Sequence, residues 1–274
     1  MNSLKTLISL FAESLKYPLT SGQRIIIFWN LVVLHLKSKF AKSSTSEISQ
    51  RLHGFTVCAY DYPSLINLYT EIFLKQVYQV HLAQQKPFII DCGANIGVSV
   101  LFFKKRDPES VIWAFEPNPN SFHLLKKNVL QNRLQDVTLY NCALSSVNGR
   151  SKFFIPLNKN SLNGSSRAGL NEGYETTVEA RKLSDLVGDV KPDFVKMDIE
   201  GDEVIVIKDL IDHGRLTSIN EFIIEYHPKV GSIRLEEFLN YFTDAKFFYQ
   251  IVSEDPHSNV ILHFYRDLDF LKIK

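Results

Sequence analysis

The stretch FIIDCGANIGVS, Phe88 to Ser99, decides how the rest of the chain is read. It opens as a short apolar run rich in β-branched residues, which suits a strand buried on both faces of a parallel sheet. The run closes on Asp91, passes Gly93 and Gly97, and then turns into a helix. Glycine takes backbone conformations closed to other residues and leaves no side chain in the way, so a ligand can lie against bare backbone beneath the helix start. Asp91, at the carboxyl end of the strand, sets a fixed negative charge beside that backbone.

What such a turn holds is narrowed by what it lacks. A phosphate loop ends in Gly-Lys-Ser/Thr, and no such triplet follows Gly97, which argues against a nucleoside triphosphate. The dinucleotide fingerprint GxGxxG is absent too: the order is Gly93, Ala94, Asn95, Ile96, Gly97, with an acid ahead of the first glycine. A carboxylate aimed at the pocket repels pyrophosphate and attracts an ammonium or a sulfonium. S-adenosylmethionine carries both cations. The alternative is a glycine-rich turn that serves close packing alone.

Outward from this stretch, strands and helices alternate, which predicts an α/β fold with a doubly wound parallel sheet. Strands are expected at Phe88 to Cys92, Val111 to Phe115, Val137 to Cys142, Phe194 to Met197 and Phe222 to Tyr226, with helices at Val98 to Lys105, Pro119 to Gln131, Leu183 to Val187, Glu203 to Ile211 and Leu235 to Phe242. Ser151 to Ile155 and Thr176 to Ala180 have β character. Phe247 to Val252 and Val260 to Phe264, joined at Asp255–Pro256, are close enough to require an antiparallel final hairpin. The piece Asn158 to Gly173, dense in Asn, Ser and Gly, reads as a substrate-binding loop.

Upstream, apolar residues at helical spacing from Leu4 to Leu15 and a second helix after Gly22 form a helical extension. It serves as packing for the domain, as a dimer face, or as a peripheral membrane contact. A Ser-rich linker, Lys42 to Ser46, leads to a strand at Gly54 to Ala59 and a helix at Pro63 to Val80. The expected organisation is a helical extension over residues 1–50, a strand–helix cap over 51–86 and the main domain over 87–274.

The 274 residues are 45% hydrophobic and 22% charged, an ordinary globular composition. A net charge of +1 without clustered Lys and Arg argues against a nucleic-acid partner. Cys58, Cys92 and Cys142 are odd in number and lack a CxxC pairing, so neither a disulfide framework nor a thiolate zinc site is indicated. No signal peptide is evident, and the run Ile25 to Leu36 falls short of the roughly 20 residues that a bilayer span needs. These features predict a reduced, cytoplasmic protein. The oligomeric state is not legible.

Two further stretches carry chemistry. Glu116, followed by Pro117, ends the second strand, where an open α/β sheet presents an acid to ribose hydroxyls; Ala143 and Leu144 end the third, where small apolar residues suit an adenine ring. The segment KMDIEGDE, Lys196 to Glu203, releases Lys196, Asp198 and Glu200 at alternate positions along extended chain, or else caps the next helix. Asp198, Glu200 and His227 are the candidate general bases, with Lys196 orienting a carboxylate. Glu200, Glu225 and His227 leave room for Mg²⁺ or Mn²⁺, but an ion pair between Glu200 and Lys196 explains the same residues, so a metal is not favoured.

Through IIDCGANIG, AFEPNP (Ala114 to Pro119), NCALS (Asn141 to Ser145) and KMDIEGDE, the chain resembles the FkbM family of S-adenosylmethionine-dependent methyltransferases. The resemblance implies a Rossmann-like class I methyltransferase fold, with a mostly parallel seven-stranded sheet and an antiparallel final hairpin. It also implies a methyl donor held by Asp91, Gly93, Asn95, Gly97, Glu116, Pro117, the Ala143 and Leu144 region and Asp198, and O-methylation of a sugar, glycan or secondary metabolite. Members often carry an acid soon after the ALS segment to meet the adenine amine. Here Ser146, Val147 and Asn148 follow, which leaves Asn148 or backbone for that task.

Two other classes stay open: a nicotinamide oxidoreductase, which shares the sheet and Glu116, and a catalytically silent S-adenosylmethionine-binding protein. Acceptor choice is expected to reside in the first eighty or so residues and the Asn158 to Gly173 loop. Tyr60, Tyr62 and Tyr174 either stack on sugar rings there or fill core space.

Overall fold

The structure, a computed structural model, describes residues 2–41, 47–156, 173–227, 233–254 and 259–266. The expected linker at Lys42 to Ser46, the loop from Asn158 up to Gly173, Pro228 and the Asp255–Pro256 connection lie outside the described residues.

Helices α1 (Asn2–Leu15) and α2 (Ser21–Phe40) come first. A capping box starts α2: Thr20 accepts from the Gln23 N–H, and the Gln23 side chain accepts from the Thr20 N–H. Arg24 closes the angle between the helices by donating to the carbonyls of Ser14 and Leu19. No helix among the described residues is long and apolar enough to cross a membrane.

A hairpin of β1 (Ile48–Leu52) and β2 (Phe55–Ala59) follows, turning on His53 and Gly54 at φ 53° and 93°. Two positive φ values match the right-handed twist of the strands. The first of these strands has no counterpart in the sequence reading, and the boundary expected between residues 50 and 51 falls inside it. Its sequence, ISQRL, alternates only weakly.

Helix α3 (Tyr62–Tyr69) starts under Asp61, whose side chain accepts from the Ser64 N–H at 2.8 Å. The helix expected to run to Val80 instead ends in a π turn, Thr70–Leu74. Ile72, Phe73 and Leu74 are buried in succession, which a narrow α-helical stripe does not allow and a widened turn does.

The main domain comprises β3 (Phe88–Cys92), α4 (Val98–Arg106), β4 (Val111–Phe115), α5 (Pro119–Gln131), β5 (Val137–Tyr140), β6 (Ala143–Ser145), β7 (Gly149–Pro156), β8 (Gly173–Lys182), α6 (Leu183–Val187), β9 (Phe194–Met197), α7 (Glu203–Asp212), β10 (Glu221–Tyr226), α8 (Leu235–Asp244), β11 (Phe248–Glu254) and β12 (Val260–Tyr265). Seven strands form the central sheet in the order β11-β12-β10-β9-β3-β4-β5. The five from β10 to β5 are parallel, and β12 and β11 run antiparallel at the far edge. The expected third strand stops at Tyr140 rather than Cys142. Ala143–Ser145 leaves the main sheet and pairs with β8 in a small sheet of order β6-β8-β7.

Neighbouring residues of β3 feed opposite cores. Ile89 faces a cluster with Leu31, Leu34, Leu65, Leu101 and Leu125, and Ile90 faces one with Met197, Leu210, Phe222 and Phe242. Each such side chain contributes about 1.5–3 kcal/mol on burial. The first cluster joins the N-terminal helices and hairpin to α4 and α5 without a break. Asn128, buried on α5, reinforces that joint: it accepts from the Cys58 N–H at 2.7 Å and donates to the carbonyls of Cys58 (2.9 Å) and Ile96 (2.8 Å). Chain order reverses between β3 and β9, so the carboxyl ends of β3, β4, β9 and β10 open at the switch point where α/β sheets bind ligands.

Candidate active site

The turn after β3 is shaped by contact with the end of β9. Gly93 has φ +81°, and a Cβ there would stand 1.8 Å from the Asp198 carbonyl oxygen, so no other residue fits without moving that strand end. The N–H groups of Gly93 and Ala94 both donate to the Phe115 carbonyl, at 3.0 and 2.9 Å, which binds the turn to β4. Asn95, at φ 51°, uses its side-chain oxygen to accept from the Ile96 N–H at 2.8 Å. Gly97, at φ +87°, caps α4; a Cβ there would meet only the end of the Leu125 side chain, at 2.6 Å.

Asp91 and Lys196 sit opposite one another in the β3–β9 register. The Lys196 ammonium lies 3.2 Å from Asp91 Oδ1 and 3.9 Å from Asp198 Oδ2, and donates to the carbonyls of Gly93 (2.6 Å) and Cys92 (3.2 Å). It also lies over the Tyr78 ring. Burial pulls the lysine down, but Asp91 and Asp198 outweigh it and its pKa is raised, so it is charged. The Lys196–Glu200 pair expected from alternation does not form. The strand ends at Met197 and Glu200 takes φ 58°, so the chain is no longer extended there. Asp91 is fully buried; Oδ2 accepts from Ser99 Oγ at 2.5 Å, and Oδ1 faces the Lys196 ammonium.

Glu116 faces the same turn from β4. Its oxygens accept from the backbone N–H groups of Asn118 (2.7 Å) and Asn95 (2.9 Å), which leaves one lone pair on each for a diol. Burial raises its pKa to about 7 despite those two bonds. Asn141 pins the strand end behind it, donating to the Glu116 carbonyl at 2.8 Å.

Next to this cradle, the ends of β9 and β10 bring Asp198, Glu200 and His227 together, with one ligand atom from each all within 4.8 Å of one another. His227 Nε2 lies 3.5 Å from Glu200 Oε2 and 3.9 Å from Glu225 Oε1, while Nδ1 is 2.9 Å from Glu203 Oε1. A carboxylate only accepts, so Nδ1 carries a hydrogen. Glu203, buried at the start of α7, also accepts from the N–H groups of Ile199 (3.2 Å) and Gly201 (3.1 Å), and so fixes both the loop and the imidazole. Burial and the charge of Asp198 raise Glu200 to about 7; burial, Asp198 and Glu71 raise Glu225 to about 8. Burial pulls His227 down, but its bond to Glu203 and the surrounding carboxylates lift it to about 10. The histidine expected as a general base is therefore an imidazolium at neutral pH, and Glu200 is the better base.

Glu203 escapes a reading by spacing because its acid looks like an ordinary helix-start residue. Glu71 reaches the cluster through the π turn, and the Tyr78 hydroxyl donates to Asp198 Oδ2 at 3.4 Å. Pro117 is half-buried beside Glu116. Ala143 packs with Phe153, Ile155 and Val178, and Leu144 lies in the core beneath α6 and α7. Asn148 is committed elsewhere: it donates to Asp185 Oδ2 at 2.7 Å and accepts from the Lys182 N–H at 2.9 Å. Of the tyrosines, Tyr69 bonds with Asn30 and His53 in the core, Tyr60 meets Ser121, Tyr62 packs on the core and Tyr174 is exposed.

The sheet order, reversed at a glycine turn, with an antiparallel hairpin at its edge, is the Rossmann-like arrangement that the sequence resemblance implies. The family model described as the methyltransferase FkbM domain matches residues 91–254, and the chain belongs to that family of S-adenosylmethionine-dependent methyltransferases. It is similar to methyltransferase sdnD of Sordaria araneosa, 30% identical over 58% of this chain and 73% of that protein. Hexuronic acid methyltransferase AglP of Haloferax volcanii is 29% identical over 69% of this chain and 71% of its own. The 31-O-demethyl-FK506 methyltransferase FkbM of Streptomyces tacrolimicus is 33% identical over 42% and 41%. Among solved structures, M. jannaschii TYW2 in complex with AdoMet aligns over 83% of this chain and 90% of that one, at 15% identity and a TM-score of 0.44.

Proposed function

We propose that the chain, through residues 87–274, is an O-methyltransferase that uses S-adenosylmethionine to methylate a hydroxyl of a sugar, a glycan or a secondary metabolite. The observation that carries this reading is the half-buried Glu200, held at the end of β9 beside the glycine turn with its Oε2 3.5 Å from His227 Nε2. A base that titrates near neutrality is suited to take a hydroxyl proton. The names of two relatives, a 31-O-demethyl-FK506 methyltransferase and a hexuronic acid methyltransferase, point to hydroxyls and sugars as acceptors.

The residues fit the donor. Gly93 leaves bare backbone where any Cβ would collide, and Glu116 keeps a lone pair on each oxygen for ribose hydroxyls. Asn95, Gly97, Pro117 and Asp198 frame the same turn; Ala143 and Leu144 contribute apolar packing behind the adenine end. Carboxylates at Asp91, Glu116 and Asp198 oppose a pyrophosphate, which disfavours the nicotinamide alternative.

When bound, S-adenosylmethionine supplies an electrophilic methyl carbon on a sulfonium. The chain holds the acceptor hydroxyl in line with that carbon, and this positioning supplies much of the rate enhancement. Glu200 takes the hydroxyl proton, His227 steadies the carboxylate from 3.5 Å, and Glu203 keeps the imidazole in place. The three free, buried thiols support a reducing, cytoplasmic setting.

The test is comparative mass spectrometry of glycans and secondary metabolites from cells with and without the protein. A species that lacks one methyl group without it, restored by the wild type and not by Glu200→Gln, supports the reading. Full restoration by Glu200→Gln would point to the catalytically silent binder.

A further inference from the structure

We infer that Asp198, Glu200 and His227 form a divalent-cation site of the Mn²⁺ or Mg²⁺ class. The inference rests on the transferase reading only for its use, because the site itself follows from geometry. The three donor atoms lie within 4.8 Å of one another, close enough that small side-chain shifts bring them to the roughly 4.2 Å that opposite ligands of one small octahedral ion span. Acid clusters are common, so the histidine decides the matter. His227 is 5% exposed, its Nε2 has no hydrogen-bond partner, and that nitrogen points at Glu200 and Glu225. Its Nδ1 is held by buried Glu203 at 2.9 Å, the carboxylate–histidine arrangement that orients a metal-binding imidazole.

Lys196, the nearby lysine, is drawn toward Asp91 and two carbonyls and reaches only Asp198, at 3.9 Å. Two carboxylates and one imidazole suit Mn²⁺, which accepts both donor types. The ion replaces the proton on Nε2, which leaves to solvent. In the metal-loaded chain Glu200 acts as a ligand in place of its role as base in the metal-free site, and an acceptor hydroxyl that joins the coordination sphere would pass its proton to Glu225, 3.9 Å from His227 Nε2.

The test is titration of chelator-stripped full-length protein with Mn²⁺, read by loss of the free-ion paramagnetic resonance signal. Donor binding and methyl transfer are measured in parallel. One ion per chain is expected, with Glu200→Gln and His227→Ala abolishing binding and Glu203→Gln weakening it by about tenfold. No bound Mn²⁺ in folded wild type, or equal binding by all variants, overturns the site, even where transfer proceeds in chelator. Mn²⁺ bound in a chain that takes no donor upholds the site and overturns the transferase reading.

A separate observation carries a second proposal: the outer face of α2 is a docking surface for an anionic membrane. Ile25, Ile26, Trp29, Val33, Leu36 and Phe40 are all exposed, Trp29 at 60% and Phe40 at 82%, and helical spacing gathers them into one stripe about 100° wide. Residues 1–41 hold five Lys and Arg against one acid, Glu13, in a chain whose total charge is only +1. An apolar stripe on a basic segment suits a helix lying in the headgroup plane of negatively charged lipid. Sedimentation with phosphatidylglycerol vesicles tests it. Binding that salt weakens, and that Trp29→Glu with Phe40→Glu removes while donor binding persists, is expected. No binding overturns the proposal; so does a concentration-dependent dimer that the same pair of changes dissolves, which would make a second copy the occupant.

Discussion

Lys196→Met removes a buried ammonium while keeping an unbranched side chain of similar reach. The perturbed group stands 3.2 Å from fully buried Asp91, in direct register across β3 and β9, and donates to the Gly93 and Cys92 carbonyls. Breaking a buried pair by removing one partner costs about 3–5 kcal/mol, because the surviving charge is left in low dielectric. Losing two charge-assisted bonds to carbonyls places this change at the top of that range, about 5 kcal/mol. Asp91→Asn belongs near the bottom, about 3 kcal/mol, since Lys196 keeps both carbonyls and Asp198, and Ser99 keeps an oxygen to bond. Together the two changes leave no fully buried unpaired charge, since Asp198 is partly exposed, so the double variant is expected to recover at least about 2 kcal/mol of the summed loss. Urea unfolding of the wild type, both single variants and the double variant measures the cycle. Single losses that add to within about 0.5 kcal/mol would refute the claim that these groups are coupled.

Glu116 is raised to about 7, so it must lose its proton before it can accept two ribose hydroxyls; donor affinity is expected to rise from pH 6 to pH 8, and Glu116→Gln to flatten that profile in calorimetry. The same shift lowers stability as pH rises, because the unfolded carboxyl ionises near its ordinary 4.5 while the folded one holds its proton to about 7; thermal unfolding between pH 4.5 and 7 checks the sign. Gly93→Ala meets the Asp198 carbonyl at 1.8 Å and Gly97→Ala only the tip of Leu125 at 2.6 Å, so although both incur the left-handed strain of about 1–2 kcal/mol, the first is expected to destabilise more and to lose the donor. Asn128→Ala strands the N–H and carbonyl of Cys58 and the carbonyl of Ile96, and a loss of about 3 kcal/mol in urea unfolding is expected.

Elements that bury both faces of the sheet were legible from local chemistry. FIIDC, VIWAF and FVKM read as strands because apolar runs between turn signals have few other fates. β1 was not, since ISQRL gains its β character by pairing with β2 across His53 and Gly54. The end of α3 at a π turn is set by which residues the neighbouring core accepts. That the Gly93 turn and Glu116 meet was readable because glycine and an acid at adjacent strand ends have a local reason to be there. Partnerships were not: Lys196 meets Asp91 through a register between strands about a hundred residues apart, and Glu203 meets His227 only once β10 lies beside β9.

Calorimetric titration of the purified chain with S-adenosylmethionine, with S-adenosylhomocysteine and with NADH tests the central claim most directly. Saturable binding of both sulfur nucleosides, no binding of NADH, and loss of the sulfur ligands in Glu116→Ala with the fold retained is the expected result. Binding of NADH in their place, or sulfur-nucleoside binding that Glu116→Ala leaves untouched, would contradict the assignment of the Gly93 and Glu116 cradle to the methyl donor.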